Sequence, residues 1–321
     1  TGGTIESTGT ATLTITGSAV NGDALTFMNT EIGDASGSGT ITLIGDEFTL
    51  SGTTIIDGQG LLILQPLVAS TTIGLGDGAG TLNLDDAELA FLSDGFNSIT
   101  IGDAAVGTGA IEVDSSTFTD DVTIIGGPIT VSGLLNVTGS TTLTAGGAVA
   151  IDAGITSTGN VNITATDTAA AGENVDIVAS VTVQSTGGSI TIDAGDDFSM
   201  AAGAVLNASS TITVNIDSGD ADAGTGATAD LGGTFISGTG ATVNSAGDAD
   251  TFNVTATTAA TLTGAAGDDT FNVSANVGGT IDGGTGSETN GDLLNVSGHA
   301  TSQLLDLGNS SLSALNGGNA S

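Results

Sequence analysis

The 321-residue sequence predicts an all-β fold in which short strands stack as the coils of a parallel β-helix, or β-solenoid. Three observations lead to this prediction. The composition is rich in Thr, Val and Ile, which favour strands, and contains 53 Gly, which favour turns. Short runs alternate apolar with polar residues, and helical periodicity is nearly absent. A five-residue motif recurs at intervals of about 20 residues, the length of one solenoid coil.

The first part of the chain, residues 10–60, alternates strand-like runs with Gly-Asp turns. Residues 12–16 (TLTIT) and 40–44 (TITLI) place an apolar side chain at every second position, which is the pattern of a strand buried on one face. Gly-Asp pairs at 33–34 and 45–46 interrupt the runs. Each run with its turn therefore predicts one side of a coil.

The stretch from residue 61 to residue 135 carries a resemblance to a known family. Its motifs are LQP at 64–66, STTIGL at 70–75, the segment 82–91, GF at 95–96 and ITIG at 99–102. This series resembles the filamentous-haemagglutinin-like repeats of giant bacterial surface proteins. The resemblance implies a right-handed parallel β-helix that is secreted and displayed on a bacterial cell surface as an adhesin or fibre. Within this stretch, residues 85–92 (DDAELAFL) form a helical turn as readily as a strand.

Cleaner strand patterns fill residues 120–220. The sequence IDAG occurs at 151–154 and again 41 positions later at 192–195, which is close to two coils. Residues 217–230 contain four aspartates and no apolar run, and strand signals resume immediately afterwards. This segment predicts a loop inserted between coils of one solenoid.

The repeated motif is clearest near the carboxyl end. It reads DTFNV at 250–254 and 269–273, and DLLNV at 292–296, with steps of 19 and 23 residues. We expect roughly 16 coils of about 20 residues, forming a single elongated solenoid over residues 1–300. The motif stops in residues 301–321, which predict an irregular last coil, a cap, or the start of another module.

The charge balance restricts the partners of the chain. There are 36 Asp and Glu but no Lys or Arg, so ordinary internal salt bridges are excluded. Each carboxylate must face water, accept hydrogen bonds or bind an external cation. Without cations to neutralise phosphates, we expect no nucleic-acid partner. The longest apolar run, residues 61–64, is too short to predict membrane insertion.

Calcium is the ligand that the motif suggests first. Residues 264–271 (GAAGDDTF) resemble the glycine-rich nonapeptide of calcium-binding parallel β-rolls, in which turn carbonyls and an Asp carboxylate bind the ion. The candidate calcium ligands are Asp248, Asp250, Asp268, Asp269, Asp282 and Asp292. The competing interpretation is plain Gly-Asp turn chemistry. No cofactor is required by either interpretation, and Ca²⁺ is the one ion considered.

Catalysis and glycosylation are further alternatives. A glycosidase needs two suitably spaced carboxylates, but acidic turns occur along the whole chain and mark no particular pair, so we expect no enzyme. Eight asparagines begin Asn-x-Ser/Thr triplets: Asn136, Asn162, Asn207, Asn253, Asn272, Asn295, Asn309 and Asn319. Three of these, at 253, 272 and 295, occupy one repeated position, which predicts stacked amides in preference to surface glycans.

The sequence therefore predicts an extracellular, non-catalytic solenoid that acts as a stalk, adhesin or filament subunit of a bacterial surface. Strand edges at the ends of such a solenoid must be capped or continued, so we expect end-to-end self-association or continuation in a longer chain. Surface glycans or ligands on host or neighbouring cells are the other partners considered. The second candidate function is a calcium-responsive binding module, and the third is a polysaccharide-degrading enzyme.

Overall fold

The computed structural model describes residues 3–6, 8–19, 24–105, 107–286 and 288–297, and the backbone of Ala314–Leu315. In these residues nearly every element is a short strand, and the strands pair in parallel. The parallel β-solenoid predicted from the sequence is confirmed. Contacts divide the chain into two units, Thr1–Gly146 with Asp152–Asn162, and Gly147–Ile151 with Ile163–Ser321. The single solenoid over residues 1–300 stays a prediction.

The elements up to residue 146 belong to the first unit. In chain order they are β1 Thr4–Ile5, β2 Leu13–Thr16, β3 Leu25–Met28, β4 Glu31–Gly33, β5 Ile41–Ile44, β6 Phe48–Ser51, β7 Ile55–Asp57, β8 Leu61–Gln65, β9 Ile73–Leu75, β10 Leu82–Leu84, α1 Asp86–Leu89, β11 Ser98–Gly102, β12 Ile111–Val113, β13 Ser116–Phe118, β14 Val122–Gly126, β15 Ile129–Val131, β16 Leu135–Val137 and β17 Thr141–Ala145.

The remaining elements belong to the second unit, except that β19 lies in the first and β20 has residues in both. They are β18 Val149–Ile151, β19 Ile155–Ser157, β20 Val161–Ala165, β21 Val175–Ile177, β22 Thr182–Ser185, β23 Ile190–Ala194, β24 Phe198–Met200, β25 Val205–Ala208, β26 Thr211–Asn215, β27 Thr228–Leu231, β28 Thr234–Ser237, β29 Gly240–Asn244, β30 Thr251–Val254, β31 Thr261–Thr263, β32 Thr270–Val273, β33 Ile281–Asp282, β34 Leu293–Val296 and β35 Ala314–Leu315.

Each unit stacks its strands into several parallel sheets. In the first unit the sheet orders are β2-β5-β8-β11-β14-β17, β10-β9-β12-β15, β13-β16-β19, β1-β4-β7 and β3-β6. In the second unit they are β23-β26-β29-β31-β33, β18-β21-β24-β27-β30-β32-β34-β35 and β22-β25-β28. Apart from β10, which pairs with β9 nine positions earlier, a strand thus pairs with its counterpart one coil away, which is the defining pairing of a solenoid.

The core consists of columns of inward-facing apolar side chains. Alternation along each strand sends every second residue inward, and the register places these residues above one another. In the first unit, Leu64, Ile101, Ile124 and Leu143 form one fully buried column. In the second unit, Phe252 and Phe271 are paired, and their rings stack with centroids 4.7 Å apart. The repeated motif therefore builds the core as well as the turns.

The coils differ in length, and some are much longer than the expected repeat of about 20 residues. Val122 pairs with Thr141, 19 positions later, whereas Leu62 pairs with Ile99, 37 positions later. The longer coil contains β10 and α1, where the side chain of Asp85 accepts a hydrogen bond from the N–H of Glu88 and completes a capping box. Residues 85–92 thus include a helical turn, one of the two conformations that the sequence allowed.

The loop predicted at residues 217–230 is shorter than expected. Its last residues belong to β27, where Ala229 pairs with both Phe198 and Phe252. The strand extends into the predicted loop because Ala229 and Leu231 face the core and continue the alternation of a strand. Residues 216–227 form the inserted loop. The prediction for residues 301–321 lies outside the described residues, apart from the backbone pairing of β35 with β34.

Stacked amides occur where the repeated asparagines predicted them. The Nδ2 group of Asn253 donates to Asp230 Oδ1 at 2.7 Å. Asn272 donates to Asn253, and Asn295 donates to Asn272, both at 2.8 Å. The three asparagines therefore form a side-chain ladder from coil to coil, as expected.

Candidate functional site

The carboxylates of the second unit concentrate in one set of connections, which we call the acidic turns. These are residues 166–174, 195–197, 216–227, 245–250, 264–269 and 283–292, which connect β20 to β21, β23 to β24, β26 to β27, β29 to β30, β31 to β32 and β33 to β34. Each of them contains at least two Asp or Glu residues. Because the strands on either side are stacked in register, the acidic turns follow one another from coil to coil.

Three of the predicted calcium ligands form a buried column in these turns. Asp269 Oδ1 accepts a hydrogen bond from the backbone N–H of Asp250 at 2.8 Å, and Asp292 Oδ1 accepts one from the N–H of Asp269 at 3.1 Å. Asp250 Oδ1 accepts in the same way from Ala227, at 2.6 Å. Each carboxyl group therefore satisfies a backbone donor of the preceding coil.

Burial controls the protonation of this column. Asp269 is completely buried, and its Oδ2 atom has no hydrogen-bond partner among the described atoms. Burial raises the pKa of Asp269 to about 8, against the lowering effect of the Asp250 N–H, while the neighbouring charges of Asp250, Asp292 and Glu288 raise it further. Burial also raises the pKa of Asp250 and of Asp292. A glycine is needed at position 264, because a Cβ there would lie 2.1 Å from Asp269 Oδ2.

The other three predicted ligands lie apart from one another, Asp248 and Asp268 in acidic turns and Asp282 at the end of β33. Asp268 is held by the N–H groups of Thr289, Asn290 and Gly291 at 2.8–3.0 Å, and the hydrogen bond from Asn290 contributes most to lowering its pKa. Asp282 Oδ1 accepts from the N–H of Gly284, two residues later. Asp248 Oδ2 accepts from the N–H of Gly224.

The six predicted ligands therefore do not converge on one ion. Five of them lie outside every cluster of three metal-ligating side chains found in the described residues, and Asp248 is the exception. Their common role is to accept hydrogen bonds from backbone N–H groups. Gly-Asp turn chemistry, the competing interpretation, also predicts such hydrogen bonds, and calcium binding by these six residues stays a prediction.

One cluster that sequence reasoning missed contains Asp167, Glu173 and Asp196, whose ligand atoms lie within 4.8 Å of one another. Protein donors already engage all three groups. Asp196 Oδ2 accepts from the N–H of Glu173 at 2.8 Å, and Glu173 Oε1 accepts from the Thr168 hydroxyl at 3.1 Å. Asp167 Oδ2 accepts from the N–H of Ala221 at 2.6 Å. Each carboxylate thus accepts at least one hydrogen bond from the protein, while the Oδ1 atom of Asp167 and the Oε2 atom of Glu173 have no partner among the described atoms.

The second cluster contains Asp217, Asp220 and Asp248, again with ligand atoms within 4.8 Å of one another. Asp217 and Asp220 lie in the inserted loop and both have positive φ, 52° and 50°. Asp217 is 1% exposed, and its Oδ2 atom has no hydrogen-bond partner among the described atoms. Burial raises the pKa of Asp217 to about 7, and the charges of Asp250, Asp220, Asp248 and Asp222 raise it further.

The sequence contained a partial signal for this second cluster. The spacing Asp217-x-x-Asp220-x-Asp222 within a loop places several carboxylates on a short, flexible backbone. The partner residue Asp248 comes from the next acidic turn, 28 positions after Asp220, and only the register of β26 with β29 brings it close. The repeated motif predicts Asp248 as a ligand but does not predict Asp217 or Asp220 as its neighbours.

Comparison of the chain with protein-family models, with curated proteins and with solved structures finds no match. Among the described residues, no helix has the length and apolar character that crossing a membrane requires.

Proposed function

We propose that the protein is a structural β-solenoid of a bacterial cell surface, serving as a stalk, adhesin or filament subunit. The parallel solenoid fold is compatible with a structural repeat protein. The extracellular placement is supported by the resemblance of residues 61–135 to filamentous-haemagglutinin-like repeats, and by a carboxylate-rich composition without Lys or Arg. That composition also removes every cleavage site for proteases that require a basic residue.

The observation that carries the proposal is the coil-to-coil continuity of polar side-chain ladders inside the second unit. The ladder of Asp230, Asn253, Asn272 and Asn295 adds side-chain hydrogen bonds to the backbone ladders of β27, β30, β32 and β34. Each extra bond contributes on the order of 1 kcal/mol. Bonds that recur from one coil to the next stabilise the solenoid along its length, which supports a role as a scaffold.

The placement is tested on intact cells of the source organism with an antibody against the purified chain. We expect labelling without permeabilisation, and loss of the label after shearing or digestion of the cell surface. Labelling that requires cell lysis would contradict the proposal. Material released from the surface is then examined by negative-stain electron microscopy. Long uniform fibres would favour a filament subunit, and separate short particles would favour a stalk or adhesin.

The calcium-responsive module and the polysaccharide-degrading enzyme stay predictions, as alternatives to the structural role. Both require a specific site in addition to the scaffold. Incubation of the purified chain with a panel of acidic glycans, followed by measurement of new reducing ends, tests the enzyme. Release of sugar ends above that of a heat-denatured sample would replace the structural proposal with a catalytic one.

A further inference from the structure

The inserted loop, residues 216–227, holds a carboxylate that the protein itself leaves without a partner. Asp217 is 1% exposed, and its Oδ2 atom has no hydrogen-bond donor among the described atoms. A carboxylate removed from water to this extent needs hydrogen bonds or an opposite charge. The N–H of Asp220, three residues later in the loop, donates to the backbone carbonyl of Asp217 and not to its carboxylate.

Two further carboxylates approach Asp217 from different segments. Asp220 is an exposed residue of the same loop, and Asp248 is a half-buried residue of the next acidic turn. Together the three offer ligand atoms within 4.8 Å of one another. Like charges at this separation repel, and the electrostatic surroundings of the cluster include further carboxylates at Asp222 and Asp250.

No side chain of the described residues can neutralise this cluster. The sequence contains no Lys or Arg, and the only imidazole, His299, lies outside the described residues. In the neighbouring cluster of Asp167, Glu173 and Asp196, each member accepts a hydrogen bond from the protein, although the Oδ1 atom of Asp167 and the Oε2 atom of Glu173 are also buried without a partner. Among the described residues, the Asp217 cluster is therefore the one whose buried carboxylate accepts no hydrogen bond from the protein.

We propose that Asp217, Asp220 and Asp248 bind a calcium ion. The donor set consists of carboxylate oxygens without Cys or His, which suits a hard cation and disfavours zinc. Calcium accepts six to eight oxygens in irregular geometry, so a loop and an adjacent turn, completed by carbonyl oxygens and water, meet its requirements. Magnesium requires a stricter octahedron and gives up water reluctantly.

The ion would fasten the inserted loop to the following coil. Asp217 and Asp220 belong to residues 216–227, and Asp248 belongs to residues 245–250. These segments are already joined by hydrogen bonds from Gly224 to Asp248 and from Ala227 to Asp250. Bound calcium would add ligand bonds across the same junction and remove the repulsion between its carboxylates. The site goes beyond the proposed structural role, since a scaffold without calcium would still have its ladders.

Calcium binding is measured by titration calorimetry on the full chain after treatment with EDTA and its removal, at constant ionic strength. The variants are Asp217→Asn and Asp220→Asn, which keep the side-chain shape and suit positive φ. Each is expected to weaken calcium binding at this site at least about tenfold, because the charge of the ligand set determines affinity. The matched control is Asp103→Asn, which removes one charge from a turn where Asp103 Oδ1 accepts from the N–H of Ala105. Its affinity is expected to equal that of the wild type.

Hydrogen exchange, followed by mass spectrometry, locates the bound ion. Calcium is expected to slow exchange in residues 216–227 and 245–250 of the wild type, and not in Asp217→Asn. If Asp217→Asn does not fold, the exposed position Asp220 provides the test alone.

The proposal would be overturned if the wild type showed no saturable calcium binding up to about 10 mM, since the weakest extracellular calcium modules bind near 1 mM. It would also be overturned if both variants bound calcium with wild-type affinity, or if calcium slowed hydrogen exchange only in other segments. Equal affinity for magnesium would overturn the assignment of the ion as calcium.

Discussion

The turn between β14 and β15 in the first unit consists of Gly127 and Pro128, whereas the turn between β31 and β32 in the second unit spans residues 264–269 and ends in two aspartates. The strands that precede these turns, β14 and β31, occupy equivalent positions in their coils. In the first turn the N–H of Gly127 donates to the carbonyl of Gly109 at 2.9 Å. In the second, the N–H of Asp250 donates to the carboxyl group of Asp269 at 2.8 Å. The neutral turn uses carbonyl acceptors, and the acidic turn adds buried carboxyl acceptors.

This difference separates what the fold requires from what a buried carboxyl group adds. Stacked strands need an acceptor for each buried N–H group, and a neutral carbonyl is sufficient. A buried carboxyl group provides the same bond but brings a titratable charge into a place that water does not reach. We therefore expect the acidic turns, and not the neutral ones, to make the stability of the protein depend on pH.

The largest expected effect is this pH dependence. The pKa of Asp269 is about 8 in the folded chain, against 3.8 as the ordinary value, so the folded state binds more protons between these pH values. The contribution of Asp269 to the free energy of unfolding is therefore fully present below about pH 4 and is lost as the pH rises towards 8, by on the order of 5 kcal/mol. Urea denaturation in the presence of EDTA, at a series of pH values, measures it.

The variant Asp269→Asn isolates the contribution of this group. It keeps a side-chain oxygen for the N–H of Asp250 and removes the titration, so the pH dependence should become flatter and stability at pH 8 should rise. Asp103→Asn in the first unit is the control, because it also replaces one carboxyl group by an amide but does not touch a buried one. An equal flattening in both variants would attribute the effect to general charge repulsion and contradict the role of Asp269.

The second effect concerns the hydrogen bond itself. Asp269→Ala leaves the buried N–H of Asp250 without its carboxyl acceptor, which should lower the free energy of unfolding by about 1–3 kcal/mol. The measurement is made near pH 5, where Asp269 is mainly protonated and the change in charge contributes little. Asp269→Asn should lose much less at the same pH. Equal losses in both variants would show that packing, and not the acceptor, stabilises this turn.

The extent to which the sequence predicted these features depends on the range of the interaction. The register of the DTFNV motifs followed from their spacing, because side chains of equal position in successive coils must stack. The amide ladder followed for the same reason. The pairing of Asp217 with Asp248 did not, because it depends on an inserted loop whose path across the next turn is not encoded in any repeat. The alternation of apolar and polar residues also did not separate the loop from β27, because Ala229 is only weakly apolar.

A third, smaller effect is expected in the amide ladder of the second unit. Asn272 both donates to Asn253 and accepts from Asn295, so Asn272→Ala should cost about 1 kcal/mol, reduced by its partial exposure. The matched control is Asn136→Ala in β16 of the first unit. Asn136 lies between Thr117 and Thr156 in the register and has no side-chain hydrogen bond among the described atoms, so its loss should stay within about 0.5 kcal/mol. Similar losses at both positions would contradict a specific contribution from the ladder.

The smallest effect should come from the neutral turn. Pro128→Ala keeps the carbonyl that accepts from the N–H of Ile111 at 2.8 Å, and it removes only the rigidity of the proline ring. We expect a loss of about 0.5 kcal/mol through the greater freedom of the unfolded chain, equal at pH 4 and at pH 8. Urea denaturation at both pH values measures it, beside Asp269→Ala. A pH-dependent loss in Pro128→Ala would mean that the neutral turns also respond to the titration of distant carboxylates, and the contrast between the two kinds of turn would no longer hold.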